Sequence, residues 1–556
     1  MAQEEARRRE AEAELLEEQE ERSAQEVSLR EAQAEQQPAR SRECPYLDTV
    51  SRQALDFDFE KRCATSLSTH NVYCCLVCGT YYQGRGKGTH AHTHSLESLH
   101  HVFMHLRTGR VFCLPDGYEV LDPSLDDIRA ALHPRFFPSQ ISSLDSTSRW
   151  TRGLDGTAFL PGTIGLNNLK RTDSINSVLQ CIMRVSPVRN FFLLHSNYSQ
   201  SKSQLVQRFG ELVRKVWNPR NFKGQVSPHE FMQAVSTASA KRFTPDSQAD
   251  PIEFVPWLLH SLHSDLTDGK PRKRRSVISN CFQGKLKVVT LHDRHTHAVS
   301  EASAQDAGQS SEQTSANGSS KDRRLEVQRE GEIESEPKEM PFWMLGLDLP
   351  PAPLFHDTVE KNIIPQVPLL EILRKFDGTR VYEQVRAGRN KFKVSHLPPY
   401  LVLHFKRFVK NNFFVEKNPT IVTFPVRNLE LREAIPVPKR TDGSEMPSRY
   451  DLIANLCHDG KPGAGSYRAH VYDKGDQSWF ETQDLNVREV LPQQVSLSEA
   501  LMMVYERQEQ PAQEPYAHAS KHDERQHGDR GRSILDNERR GQKRSESDSN
   551  QNDSYR

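Results

Sequence analysis

No apolar run in the sequence approaches the 18 or more residues of a membrane-spanning helix, and the opening Met1-Ala2-Gln3-Glu4-Glu5 lacks the apolar core of a secretory signal. Charge of neither sign is in excess: 74 Lys plus Arg against 74 Asp plus Glu leave a formal net charge of zero with histidine neutral. That excludes a global basic field driving nucleic-acid binding. Cysteine is scarce, nine in 556 residues, which argues against a disulfide scaffold; five of the nine fall from Cys44 through Cys78, pointing to a metal site in a reducing compartment. No His-Glu-x-x-His helix and no phosphate-gripping glycine-rich loop occur. Hydrophobic residues make up only 35% of the chain, and the shortage is concentrated at both ends and in one internal stretch. The expectation is an intracellular soluble protein of two or three domains.

Residues 1–41 are dominated by Glu, Arg, Gln and Ala, and Leu15, Leu16, Val27 and Leu29 make too thin a stripe for a coiled coil. The segment reads as a disordered tail or as a helix formed only on docking to a partner. From Cys44 the chain turns rich in Cys and His. Cys75-Leu76-Val77-Cys78-Gly79 is a Cys-x-x-Cys knuckle, and His90, His92, His94, His100, His101 and His105 follow it. Two thiolates and two imidazoles satisfy a tetrahedral structural zinc ion, and the short loop places both sulfurs on one side of it. Residues 42–140 form this first domain, and 141–160 a connector ending in Leu160-Pro161-Gly162.

The larger domain spans 161–508. It opens at Gly165-Leu166-Asn167-Asn168-Leu169-Lys170-Arg171-Thr172-Asp173-Ser174-Ile175-Asn176, a polar turn leading into a helix that Thr172 or Asp173 can cap and that puts Ile175, Val178 and Leu179 on one face. Helices are expected over 188–194 and 205–217 and from Pro228, strands at 277–278 and 281–289, a disordered insert over 291–339, and a buried strand over 341–349. Beyond these come a helix over 367–376, a strand over 400–408, and strands at 418–425, 450–456, 467–472 and 504–505. Residues 509–556 read as a disordered polar tail. The order implies an α+β fold, a helix-rich lobe against a mostly antiparallel sheet. The basic run Lys270-Pro271-Arg272-Lys273-Arg274-Arg275 reads either as a nuclear-import or phosphate-contacting patch or as a solvated turn.

The stretch from Gly165 to Gln180 resembles the active-site box of ubiquitin-specific cysteine proteases, Gly-Leu-x-Asn-Leu-Gly-Asn-Thr-Cys-Tyr-x-Asn-Ser-x-Leu-Gln. The strand at Tyr400-Leu401-Val402-Leu403-His404-Phe405-Lys406-Arg407-Phe408 and the Phe282-Gln283-Gly284 element resemble that family as well. The resemblance implies a papain-like domain in which Asn168 stands at the oxyanion-stabilising asparagine and Asp173 at the nucleophilic cysteine. It also places Ser466, in Gly465-Ser466-Tyr467, at the general-base histidine, and Asp484 at the acid that orients it. A carboxylate at a helix N-terminus keeps the favourable dipole interaction but is a poor nucleophile toward an amide, and serine has no pKa near 7. Cys181 lies eight residues on, about 12 Å along a helix, and His470 four residues along a strand, about 13 Å from the lost histidine. Asp173 and Asp484 remain as a conceivable carboxylate pair if they lie close together.

Residues 44–113 resemble the ubiquitin-protease type of zinc finger. That register matches Cys75, Cys78, His94 and His100 to one complete ligand set, hence one zinc, and breaks the other sets at Tyr46, Ser66, Gln83 and Asp116. The rival is a second ion on Cys44 or Cys63 with His90. Arg85 survives from the element that holds the ubiquitin tail, and Tyr73 stands where an indole is common. Together, the degenerate finger and the protease-like domain resemble the spliceosomal ubiquitin-protease-like family. That implies an inactive nuclear scaffold of the U4/U6.U5 tri-snRNP, with spliceosomal proteins as partners and any snRNA contact secondary. A catalytically dead ubiquitin receptor and an active deubiquitinase with an unconventional nucleophile are the alternatives.

Overall fold

A computed structural model of the chain describes residues 40–41, 43–147, 149–292, 333–351, 365–384, 388–410, 415–437 and 446–508. The expectations for 1–39, for 293–332 and for the 509–556 tail lie outside the described residues.

The finger is a six-stranded sheet of β1 (Arg40–Ser41), β2 (Val72–Cys75), β3 (Tyr81–Gln83), β4 (Val102–His105), β5 (Val111–Cys113) and β6 (Glu119–Val120), in the order β1-β6-β5-β4-β2-β3. Helix α1 (His90–Glu97) connects β3 to β4. Arg40 and Ser41, expected in the tail, pair in parallel with Glu119 and Val120 and so belong to the finger. Two short helices follow, α2 (Asp126–Leu132) and α3 (Pro138–Ser142). The finger is fastened to the larger domain by buried charge. Lys215 Nζ donates to the Phe57 carbonyl at 3.0 Å and reaches Asp58 Oδ1 at 3.3 Å, while Asp58 Oδ2 accepts from the Ser227 amide at 3.0 Å. The connector is anchored too, because Asp145 forms a bidentate pair with Arg189 at 2.7 and 2.9 Å.

The larger domain begins with the helices α4 (Asp173–Ile182), α5 (Ser186–Leu193), α6 (Gln204–Val216), α7 (His229–Ala238), α8 (Pro251–Leu266) and α9 (Val277–Phe282). Residues 277–278 and 281–282 are expected as strand, on their β-branched start. Instead Ser276 and Ser279 exchange side-chain-to-amide hydrogen bonds as a capping box, and Ile278, Cys281 and Phe282 are buried at helical spacing, so capping and packing override β propensity. The strand arrives only with β7 (Gly284–His292), which pairs with β8 (Lys338–Phe342). A Cβ on Gly284 would sit 2.2 Å from the Phe342 ring, so glycine is what lets the two strands approach. Strand β8 and residues 333–334 are ordered, which corrects the insert at its C-terminal edge, and β7 extends over 291–292 at the other.

The run 341–349 is two strands, not one. Strand β8 ends at Phe342, and β9 (Leu345–Leu347) joins a different sheet, parallel to β12 (Tyr400–Phe405). Within 367–376 the helix α10 (Leu369–Leu373) starts only after Pro368, which pairs as strand. In between, β10 (Asp377–Gln384) and β11 (Gly388–His396) extend the β7 sheet.

The main sheet also takes in β13 (Arg449–Asp459), β14 (Ser466–Asp473), β15 (Ser478–Gln483), β16 (Asn486–Val490) and β17 (Ala500–Arg507), in the order β9-β12-β17-β13-β14-β15-β16. It is buried on both faces, which is why Tyr400–Phe405 reads as a continuous apolar run. Tyr400 and Val402 with Met502 and Val504 face the helices; Leu401, Leu403 and Phe405 with Met503 and Tyr505 face a second core. The strand expected to reach Phe408 breaks at Lys406-Arg407. The Arg407 guanidinium turns inward and donates to the carbonyls of Ala500, Asn418 and Thr420 at 2.6–3.1 Å.

Candidate functional site

Helix α4 is buried along all ten residues and packs against β13 and β14, so its first turn is delivered to the strand carrying Ser466. Asp173 is the first residue of that helix and is 6% exposed. It is not the cap. Thr172 occupies the cap position, but its hydroxyl is spent on the Leu169 amide at 2.9 Å. The Asp173 carboxylate instead ties the helical lobe to the sheet. Oδ1 and Oδ2 accept from Gln248 Nε2 at 3.0 and 2.8 Å, and Oδ2 also accepts from the Tyr467 amide at 3.1 Å. Gln248 closes the bridge by donating to the Gly465 carbonyl at 3.1 Å.

The other positions converge on the same corner. Ser466 is the residue before Tyr467, and its hydroxyl accepts from Gln483 Nε2 at 3.2 Å. Asp484 accepts from Asn176 Nδ2 at 2.8 Å and from Asn168 Nδ2 at 2.9 Å. Burial, with the Asp173 charge adding to it, lifts the Asp484 carboxyl above its ordinary range against the pull of those two amides. Asn168 is doubly committed, because its Oδ1 also accepts from the Thr172 amide at 3.0 Å. The two carboxylates thus have separate donors and no hydrogen bond to each other among the described residues, so they do not share a proton in the manner of an acid-protease dyad.

Gln248 and Asn176 escaped sequence reasoning as site residues. Gln248 comes two residues before Asp250-Pro251, and that pair is a legible helix start: Asp250 caps α8 through the Ile252 amide at 2.9 Å. The signal for a loop at this point was therefore present, though not the side chain's destination. His458 was missed as well. It lies across from Tyr467 with ring centroids 4.8 Å apart, and a Cβ on Gly465 would fall 2.3 Å from its Nε2. Burial holds this imidazole below its usual range, and it packs edge-on against Phe408. No thiol lies within hydrogen-bonding reach of it among the described residues.

A thiol and an imidazole do meet elsewhere. Cys457 Sγ is 3.7 Å from His470 Nδ1, and His470 Nε2 is 3.1 Å from Glu481 Oε2, the order of groups that a cysteine hydrolase uses. All three sit on adjacent strands β13, β14 and β15 inside the sheet, with Cys457 0% and His470 1% exposed. Burial would lower the imidazole, but hydrogen bonds to Cys457 and Glu481 push it up to about 9. No substrate carbonyl reaches a sulfur enclosed in this way. Cys181 is equally enclosed, and burial raises its thiol far above the ordinary range.

In the finger, Cys75, Cys78, His94 and His100 converge, with their donor atoms all within 4.8 Å of one another. Cys75 Sγ to His100 Nδ1 and Cys78 Sγ to His94 Nε2 are both 3.5 Å, and the two histidine nitrogens are 3.1 Å apart. Zinc bonds of about 2.0–2.3 Å in a tetrahedron put ligands about 3.3–3.8 Å apart, which the two sulfur–nitrogen pairs meet, and two thiols with two imidazoles are a donor set that zinc takes. The second ligand set is not assembled among the described residues. Cys63 Sγ accepts from the Ser66 amide at 3.4 Å, the Ser66 hydroxyl donates to Gln83 Oε1 at 2.8 Å, and Tyr46 packs at a tilt against His101 with ring centroids 4.1 Å apart. Tyr73 is buried against His105 and Phe112, while Arg85 lies over the Phe112 ring at 4.5 Å.

Comparison with known proteins decides the lineage. Residues 164–505 match the family model described as ubiquitin carboxyl-terminal hydrolase, and 63–125 match the zinc finger found in ubiquitin hydrolases and other proteins. The chain belongs to the ubiquitin carboxyl-terminal hydrolase family. Its relatives in that family include Ubiquitin carboxyl-terminal hydrolase 39 of Homo sapiens, 45% identical over 87% of this chain and 83% of the relative. Another is the Schizosaccharomyces pombe protein named Probable mRNA-splicing protein ubp10, 37% identical over 83% of this chain and 88% of the relative. The Saccharomyces cerevisiae Pre-mRNA-splicing factor SAD1 is 30% identical over 84% and 93%. A solved structure described as an essential yeast splicing factor superposes with a TM-score of 0.63 at 29% identity, covering 84% of this chain and all of the other. The finger therefore carries a structural zinc, and the family fold is the α+β arrangement expected from the sequence.

Proposed function

We propose that this chain is a non-enzymatic interaction protein of the spliceosome, a hydrolase-family fold in which the catalytic corner has become a structural joint. The observation that carries the loss of catalysis is the commitment of Asp173. A buried carboxylate holding a side-chain amide of the helical lobe and a backbone amide of the sheet has neither the freedom nor the nucleophilicity to attack an isopeptide carbonyl. Ser466 takes no proton at neutral pH, and Asn168, the side chain matching the oxyanion donor, has its amide turned to Asp484. The relatives named as splicing proteins support the spliceosomal role, and the finer assignment to the U4/U6.U5 tri-snRNP in the nucleus extends that reading.

In this account Cys75, Cys78, His94 and His100 hold one zinc ion that fixes the finger, with no part in chemistry. The domain limits are 40–140 for the finger and the segment after it, moved from 42 by the pairing of Arg40 and Ser41, 141–160 for the connector and 161–508 for the inactive hydrolase domain. Purification of the intact tagged chain from nuclear extract at mild salt, with identification of co-purifying proteins and small nuclear RNAs, tests the role. Recovery of U4, U5 and U6 with their proteins is expected, and recovery of none of them contradicts it. Capture of ubiquitin instead, lost on substitutions in the corner or the finger, favours the dead-receptor alternative.

A further inference from the structure

Between the finger and the helical lobe lies a cleft of about 470 Å³, within the range of roughly 300–1,000 Å³ that ligand sites occupy. Three parts of the chain wall it: the β4–β5 turn with α2, the residues from Arg135 to Arg149 that include α3, and the end of α6 from Trp217 to Arg220. Its polar lining is unbalanced. Arg129 is answered by Asp126 at 2.6 Å and Asp473 by Arg184 at 2.8 Å, so those charges cancel. Arg135, Arg149 and Arg220 also line the cleft, are exposed, and have no carboxylate within ion-pairing distance among the described residues. The apolar part of the lining is Leu144, Leu160 and Trp217 inside and Phe137, 63% exposed, at the rim, and uncharged polar side chains such as Gln140, Thr147 and Asn218 complete it.

We infer that this cleft docks an acidic peptide segment of a partner protein, one apolar side chain seated between Phe137 and the inner wall and flanking carboxylates paired with the three arginines. Guanidinium forks match carboxylates in bidentate geometry, and partly desolvated pairs gain more than exposed ones. A peptide is favoured over a nucleic-acid strand because the inner indole is not free for a base. The Arg184 and Arg189 guanidinium groups already lie over the Trp217 ring at 5.4 and 4.7 Å. The cleft exists only where the finger, the connector and the lobe are joined, so it belongs to the assembled chain and to neither domain alone.

The test is fluorescence polarisation on the full-length protein with a labelled eight-residue peptide, one phenylalanine among aspartates and glutamates. Saturable binding is expected, weakened at least tenfold in Arg135→Glu/Arg220→Glu and in Phe137→Ala, and unchanged in Arg272→Glu, a residue of the basic turn that is not part of the cleft lining. All four positions are exposed, and melting temperatures within about 1 °C of the parent verify folding. Absence of binding, equal binding by the cleft variants, equal loss in Arg272→Glu, or tighter binding of a single-stranded oligouridine that competes with the peptide would each overturn the inference. Because the assay uses the purified chain, its failure leaves the spliceosomal reading standing.

Discussion

If Asp173 is a joint and not a vestigial nucleophile, removing its carboxylate costs stability. Asp173→Ala strips the side-chain acceptor from the buried Tyr467 amide, whereas Gln248 Nε2 keeps the Gly465 carbonyl at 3.1 Å. One charge-assisted hydrogen bond is lost outright and one side chain loses half its bonding, a cost of about 2–4 kcal/mol. At about 2.1 cal/mol/K per residue over about 400 ordered residues, the unfolding entropy is about 0.8 kcal/mol per kelvin, so the melting temperature should fall by about 2–5 °C. Asp173→Asn should fall between the two, since it keeps an acceptor for Tyr467 but turns an amide donor toward Gln248. Differential scanning calorimetry of the three proteins reads this directly. A melting temperature for Asp173→Ala equal to or above that of the parent would refute the joint, because a residue kept for chemistry is not expected to stabilise its site.

Elemental analysis should find one zinc per chain, falling to under a tenth in Cys75→Ser or Cys78→Ser and staying at one in Cys63→Ser; two ions, or sensitivity to Cys63, would contradict the single site. The His470 imidazole is raised from 6.5 to about 9, so its contribution to stability is fully present below about pH 6.5 and is lost as pH rises through about 9, in all about 3 kcal/mol. Glu481 is pulled down to about 2, first by its hydrogen bond from His470, so its contribution is present above about pH 4.5 and fades as the pH falls toward 2. Denaturant titrations of His470→Gln should therefore show a flatter decline between pH 6.5 and 9.5 than the parent, and parallel curves would contradict the pairing. Lys215→Ala leaves Asp58 with only Ser227 and a 3.6 Å approach from Lys223. It should cost about 3 kcal/mol and speed proteolytic cutting in 141–160, and an unchanged digestion rate would show that the buried pair does not hold the domains together.

Sequence made the element types legible where hydrophobic periodicity was long, as in the helices after Gly165 and in the strands of the doubly buried sheet. It failed where local signals competed. The β-branched Val277-Ile278 pair hid a capping box, and the apolar run 341–349 hid a crossing between two sheets at Trp343-Met344. At the site, Asp173, Ser466, Asn168 and Asp484 could be nominated because they fall inside fixed motifs, and the Cys and His donors because their spacing is short; the structure brings each set together. The hydrogen bonds that tie this corner together were not readable. Gln248 lies 75 residues from Asp173 and Asn176 lies 308 from Asp484, so those bonds exist only once the helices have packed on the sheet. The Cys457–His470–Glu481 alignment was hidden for the same reason, since cross-strand register brings it together.

The central claim is tested most directly by incubating the purified full-length chain with a fluorogenic ubiquitin C-terminal amide substrate at neutral pH. The account predicts release no faster than from buffer, unchanged by Asp173→Ala, Cys181→Ala or Cys457→Ala. Turnover above buffer that any one of these substitutions abolishes would contradict it.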